Sequence, residues 1–139
     1  MFRRLIGAAL LAAAWSSASA ANWPLEIIDH LDEAKIVVYV NESDIERSPA
    51  WDPATGTPPF KLADVLDAIA RWEKRNAKSG DYDIEKIELK RISHHEKQGR
   101  WYYLVQLREP GDSKRRHHYV AVLLNGVTAA AIEEPASYK

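Results

Sequence analysis

Residues 62–72 have the spacing of an amphipathic helix, and this segment constrains the fold more than any other. Apolar side chains recur there at intervals of three and four, and charged side chains occupy the positions between them. The apolar set is Leu62, Val65, Leu66, Ile69 and Trp72. Thr57 is a suitable N-cap, Pro58 and Pro59 fit a first helical turn, and Gly80 is a natural terminator. The sequence therefore predicts one principal helix with one buried face.

Four strand-like segments follow this helix, and turn residues separate them. The segments are 82–93, 100–108, 117–124 and 127–132. Between the last two, Asn125-Gly126 is the preferred pair for a two-residue type I′ turn, which needs positive φ at both positions. Because short connections join strands that run in opposite directions, the pattern predicts an antiparallel meander.

Alternation along these strands predicts which side chains face the helix. The predicted core row consists of Trp101, Tyr103, Val105 and Leu107 with Val120, Val122 and Leu124. Ile87 and Leu89 continue this set, and a bulge near Lys90 or Arg91 would bring Ile92 into phase with them. The predicted fold class is therefore α+β, with one main helix packed on a four- or five-stranded antiparallel sheet.

Residues 21–59 are predicted to form an N-terminal extension of strand and loop. Residues 35–40 are rich in β-branched side chains and read as a strand. The segment before them also fits a helical face, through Leu25, Ile28 and Leu31. Residues 48–59 hold four prolines and one glycine, which predicts an ordered loop. Trp23 and Trp51 are candidates to cover an edge of the sheet.

The N-terminus has the regions of a cleavable secretory signal peptide in the usual order. Residues 1–4 are positively charged, residues 5–15 are apolar, and residues 18–20 are small. The apolar run rises about 1.5 Å per residue and spans only about half of a hydrocarbon core of roughly 30 Å, which argues against a permanent membrane anchor. We expect cleavage near Ala20, a single mature domain over 21–139, and a periplasmic or secreted location without stable membrane insertion.

Charge and cysteine usage narrow the classes of function. The chain of 139 residues has 19 basic and 20 acidic side chains, and loss of Arg3 and Arg4 with the leader leaves 17 against 20, a balance of −3. A negative, exported domain is a poor candidate for nucleic-acid binding. The sequence contains no cysteine, which excludes a disulfide framework and a thiolate metal site. Stability must therefore come from packing.

Residues 60–132 resemble the PepSY domain of the cystatin-like group. The resemblance lies in the helix at 62–69, the strand at 84–89, the glycine and aromatic strand at 99–105, and the closing hairpin at 119–127. It implies an exported, non-enzymatic bacterial module over 60–134, for which peptidase inhibition or regulation is proposed. The implied partner is an unknown protein, with a periplasmic peptidase as one possibility, and the resemblance implies no cofactor.

Two His-His pairs are the most obvious candidates for metal chemistry. His94-His95 ends one predicted strand, and His117-His118 begins another that runs parallel to it, so the pairs should lie at opposite ends of the sheet. Adjacent strand residues also point to opposite faces. His30 stands between two acidic residues, in a segment of uncertain register. The sequence therefore predicts no metal site, and solvated strand ends are the simpler interpretation.

Aromatic and basic residues outside the predicted core suggest a binding surface. Tyr102 and Tyr119 fall on the strand face opposite the core row and are the candidates for an exposed aromatic patch. Arg115 and Arg116 belong to a basic run that could contact an acidic partner or remain a solvated turn. With His94 and His117, these residues form the predicted surface, which offers a second hypothesis: a periplasmic protein that binds a small molecule or glycan through exposed aromatics.

Motifs that would indicate an enzyme are absent from the sequence. It contains no Gly-x-Ser-x-Gly and no His-Glu-x-x-His, and the adjacent Glu133 and Glu134 lie near the C-terminus, where carboxylates commonly keep a tail solvated. We therefore predict a binding protein and no enzyme, while an unrecognised catalytic cleft stays a third, weaker hypothesis.

Overall fold

The computed structural model describes residues 25–31, 34–76, 82–109 and 117–135. Within these ranges the strands are β1 (Leu25–Leu31), β2 (Ala34–Val40), β3 (Asp83–Arg91), β4 (Trp101–Arg108), β5 (His117–Leu123), β6 (Thr128–Ala130) and β7 (Ile132–Pro135). The helices are α1 (Glu42–Arg47) and α2 (Leu62–Asn76), and short 3₁₀ turns lie at Pro53–Thr55 and Glu96–Gln98. The predicted signal peptide, Trp23 and Gly80 lie outside the described residues. Among the helices within these ranges, none has the length and apolar character needed to cross a membrane.

A four-stranded antiparallel sheet with the order β3-β4-β5-β6 forms the centre of the fold. Its first face carries the predicted core row, which packs against α2 through Val65, Ala68, Ile69 and Trp72. Ile87 and Leu89 join this cluster from β3, as predicted. The α+β prediction, with the main helix packed on an antiparallel sheet, is thus confirmed.

A second, three-stranded antiparallel sheet, with the order β1-β2-β7, covers the opposite face of the central sheet. The cluster between the sheets contains Ile27, Val38 and Val40 from the small sheet, Ile45 from α1, and Ile92, Tyr102, Leu104, Ala121 and Leu123 from the central sheet and its flank. The prediction that Tyr102 is exposed is wrong, because this second layer reduces its exposure to 2%. The strands β4 and β5 of the central sheet are buried on both faces.

The N-terminal extension forms a β-hairpin, and the C-terminus completes its sheet. β1 pairs with β2, which confirms the predicted strand at 35–40 and resolves 25–31 as strand. The segment 127–132, predicted as one strand, divides at Ala131: β6 pairs with β5, and β7 crosses over to pair with β2. This crossing ties the C-terminal end of the central sheet to the N-terminal hairpin.

Helix α2 begins later than predicted, at Leu62. The carboxylate of Asp64, at the third helical position, accepts a hydrogen bond of 2.8 Å from the backbone N–H of Lys61, as in one half of a capping box. Thr57 is therefore not the N-cap, since Pro58 itself precedes a proline and is biased away from the helical conformation, which disfavours a helix that begins directly after Thr57. Leu62 and Leu66 are exposed, so the buried stripe of the helix is narrower than predicted.

Two predicted features of the meander, the bulge and the type of its last turn, differ from those in the structure. The register of β3 and β4 shifts between Ile84 and Lys86, which puts the bulge at Glu85 and not near residue 90. Ile92 needs no bulge, because it is buried in the cluster on the second face. At the last hairpin Gly126 has a φ of 85° while Asn125 is not among the described residues with positive φ, so the turn is not type I′.

Candidate functional site

A cleft of about 590 Å³ opens at the end of the central sheet where β3 ends and β4 begins. One side is formed by the proline-rich loop, residues 48–59, through Ala50, Trp51, Asp52, Pro53 and Thr55. The other side is the 3₁₀ turn of Glu96–Gln98 with Gly99. Arg91 and Trp101 contribute from the sheet itself. We call this site the tryptophan cleft.

Trp51 and Trp101 form the aromatic part of the cleft. Their ring centroids are 5.0 Å apart at an interplanar angle of 64°, an edge-to-face arrangement that is favourable for aromatic rings. Both side chains are half-buried and pack against the core cluster below α2. Both indole N–H groups donate to backbone carbonyls, from Trp51 to Gly56 at 3.2 Å and from Trp101 to Trp51 at 3.0 Å. The indole rings are therefore held in fixed orientations.

The proline-rich loop is attached to the central sheet through its backbone. The N–H of Trp51 donates to the carbonyl of Gly99 at 2.9 Å, and the guanidinium of Arg100 donates to the carbonyl of Ser48. Gly99 has a φ of 65°, and a Cβ at this position would come within 3.3 Å of the Trp51 carbonyl. Glycine is therefore favoured where the loop meets the turn.

Charged side chains of both signs surround the indoles. Arg91 lies directly across the sheet from Trp101 and stacks on it, with its guanidinium carbon 4.8 Å from the ring centroid, a cation–π contact. Lys97 adds a second positive charge, while Asp52 and Glu96 are negative; all four are exposed. The cleft thus combines two apolar ring systems with hydrogen-bond donors and acceptors.

The loop uses two of its polar groups to fix its own turn. One carboxylate oxygen of Asp52 accepts a hydrogen bond of 3.0 Å from the N–H of Ala54. The hydroxyl of Thr55 donates to the carbonyl of Asp52 at 2.6 Å. The Thr55 hydroxyl and the Asp52 carboxylate are thus both hydrogen-bonded to the backbone of the loop.

The structure does not bring the predicted binding-surface residues together. Tyr102 is buried, and Tyr119 is half-buried against the cluster between the two sheets. His94 is exposed with a φ of 66°, at the sheet end opposite His117, which confirms the predicted separation of the two His-His pairs. Arg115 and Arg116 lie outside the described residues, as does the side chain of His30.

His117 belongs to a polar cluster created by the bulge of β3. Its Nε2 lies 2.8 Å from a carboxylate oxygen of Glu85, the bulged residue. The other oxygen of Glu85 pairs with Arg108 at 3.2 Å, and Gln106 donates to the carboxylate at 3.3 Å. Within the described ranges no three histidine or acidic side chains are grouped so that they could hold a metal ion. The Glu85 carboxylate thus contacts polar side chains from the two neighbouring strands.

The sequence pattern predicts an edge position for Trp51 and a core position for Trp101, and nothing in it predicts that the two rings meet. The two residues are 50 positions apart, and no local periodicity connects them. The available signal was Gly99, which stands two residues before Trp101 at the end of a turn, combined with a loop too rich in proline to be mobile. Neither observation alone indicates a cleft.

Comparison with known protein families, with curated proteins and with solved structures finds no match for this chain. The resemblance of residues 60–132 to the PepSY family therefore stays a prediction.

Proposed function

We propose that the protein is an exported, non-enzymatic binding module whose ligand occupies the tryptophan cleft. The observation that carries this proposal is the fixed pair of indoles, Trp51 and Trp101, beside a ring of exposed charges. A ligand that packs on them meets rings whose N–H groups are already bonded to backbone carbonyls. Little rotameric freedom is then lost on binding, and such preorganisation favours affinity.

Binding, and not turnover, is the proposal because of how the polar groups of the loop are engaged. A nucleophile needs a neighbouring base to take its proton. The hydroxyl of Thr55 instead donates to a backbone carbonyl, and the carboxylate of Asp52 accepts from a backbone N–H. Both groups support the shape of the cleft, which is the role expected of residues in a recognition site.

Export is the second part of the proposal and rests on the sequence of residues 1–20. We expect the protein recovered from a bacterial periplasm to begin near Ala21. Intact-mass measurement of that material is the test, and a mass corresponding to the full chain would contradict it.

A protein partner bound along the edge of the central sheet is the second candidate function. β3 is an edge strand of the described sheet, and an extended segment of a partner can add to such an edge through main-chain hydrogen bonds. The PepSY resemblance suggests an exported peptidase as that partner. The bulge at Glu85 and the charges along β3 work against strand addition, so this candidate ranks behind the cleft.

Thermal-shift screening separates these candidates. Three mature proteins are screened against a diverse library of sugars, peptides and metabolites: wild type, Trp51→Ala and Tyr39→Ala. Tyr39→Ala is the matched control, because Tyr39 is an exposed aromatic residue on β2, away from the cleft. We expect at least one compound to raise the Tm of wild type and Tyr39→Ala but not of Trp51→Ala. If every active compound stabilises all three proteins equally, or no compound acts, the cleft is not the ligand site.

A further inference from the structure

We propose that the tryptophan cleft binds a neutral, hydroxyl-rich saccharide chain. This inference rests on the proposed function and specifies its ligand class. Three features of the cleft carry it: half-exposed indole rings, a balance of charge, and carboxylate oxygens that can accept further hydrogen bonds.

The indoles suit the apolar faces of sugar rings. An aromatic ring has a negative face, which attracts the weakly positive C–H groups that line one side of a pyranose. Trp51 and Trp101 meet at 64° and Arg91 covers one face of Trp101, so the surface that the indoles leave open is angled and is not one flat platform. A chain of linked rings, which turns at each linkage, can contact both. At about 590 Å³ the cleft also lies within the usual range of about 300 to 1,000 Å³ for ligand sites.

Charge favours a neutral ligand. The positive Arg91 and Lys97 are balanced by the negative Asp52 and Glu96, so the lining has no net charge. A polyanion would gain from one pair and be repelled by the other, and the same holds for a polycation. Arg91 also lies over the ring of Trp101, whose face attracts its positive charge.

Hydrogen bonding distinguishes a saccharide from a proline-rich peptide, the other ligand that aromatic grooves commonly bind. An ionised carboxylate accepts about four hydrogen bonds, so Asp52 and Glu96 have more capacity than the single bond from Ala54 uses. A proline has no N–H and offers only carbonyl acceptors. Each sugar hydroxyl both donates and accepts, and can therefore serve the two carboxylates as well as Arg91 and Lys97.

Titration calorimetry of the mature protein with defined probes tests this inference. The probes are neutral hexasaccharides of glucose and of N-acetylglucosamine in several linkages, a galacturonate hexasaccharide as the anionic comparison, and a decaproline peptide. We expect binding to at least one neutral hexasaccharide, about tenfold weaker in Trp51→Ala and unchanged in Tyr39→Ala. Glu96→Gln, which keeps the shape but removes the charged acceptor, should weaken binding severalfold.

Each alternative result overturns the saccharide assignment. Preference for the anionic chain, equal binding by Trp51→Ala and Tyr39→Ala, or no neutral binding at concentrations up to about 10 mM would each do so. Binding of decaproline alone, lost in Trp51→Ala, would refute the saccharide class and leave the proposed binding function intact. If Trp51→Ala unfolds, Trp51→Phe should retain part of the affinity, because it keeps an aromatic face.

Discussion

Leu104 tests the two-sided burial of the central sheet. It points away from α2, is 4% exposed and belongs to the cluster between the two sheets. Leu104→Ala removes three carbons at about 0.8 kcal/mol each. It also leaves a cavity, and buried Leu→Ala changes cost about 2 to 5 kcal/mol. We expect a loss of about 3 kcal/mol in the free energy of unfolding.

Two matched leucines make the measurement decisive. Leu107→Ala, on the helix side with 0% exposure, should cost as much as Leu104→Ala, whereas Leu62→Ala, at 57% exposure, should cost less than about 1 kcal/mol. Urea unfolding followed by far-UV circular dichroism measures all three. If Leu104→Ala behaves like Leu62→Ala while Leu107→Ala is severely destabilised, the second layer does not cover the sheet and the described packing is wrong.

Three further predictions concern single backbone and side-chain features. Gly99→Ala should lose about 2 kcal/mol of stability, because the new Cβ meets the loop carbonyl closely and the backbone is in the left-handed region. Gly126→Ala shares the left-handed strain, but its Cβ meets only an aromatic ring at 3.6 Å, so it should lose about 1 kcal/mol. Urea unfolding compares the two variants, and equal losses would contradict the close contact at residue 99. Burial, and then the charge of Asp64, raises the pKa of the Tyr103 hydroxyl. The contribution of the neutral Tyr103 hydroxyl to stability is complete below its unfolded pKa of about 10 and is lost as pH rises through the folded pKa. Tyr103→Phe should therefore cost about 1 kcal/mol in the free energy of unfolding at pH 7, and that free energy should fall less steeply with rising alkaline pH than it does in wild type. An equally steep decline in that variant would refute the assignment. His94→Gly relieves a φ of 66°, so the free energy of unfolding should stay unchanged or rise by no more than about 1 kcal/mol, which a Tm measurement would follow. A clear fall in Tm would show that the imidazole holds the turn.

The helix and one face of the central sheet could be predicted because their signals are local. The spacing that brings Val65 and Ile69 to one side of α2 is written in consecutive residues, and so is the alternation of Tyr103 and Val105 along β4. Each of these patterns can be read without knowing where distant segments of the chain lie.

The second layer was missed although β4 carried a sign of it. The strand reads Trp-Tyr-Tyr-Leu-Val-Gln-Leu, a nearly continuous apolar run, which is typical of a strand buried on both faces. The prediction that Tyr102 is exposed requires a central sheet with one solvent-exposed face. What covers that face is β1, β2 and β7, from opposite ends of the chain, and no local pattern could show that these strands come together.

The tryptophan cleft follows from this architecture. Because β4 and β5 are buried on both faces, the cleft lies at an end of the central sheet, where loops meet the strand termini. The chain has no cysteine to fix such a loop, and it uses proline, the bond from Trp51 to Gly99, and the contact between the two indoles instead. These same interactions orient the rings that we expect to bind the ligand. Loop stability and ligand affinity should therefore fall together in Gly99→Ala, even though residue 99 contributes no side chain to the site.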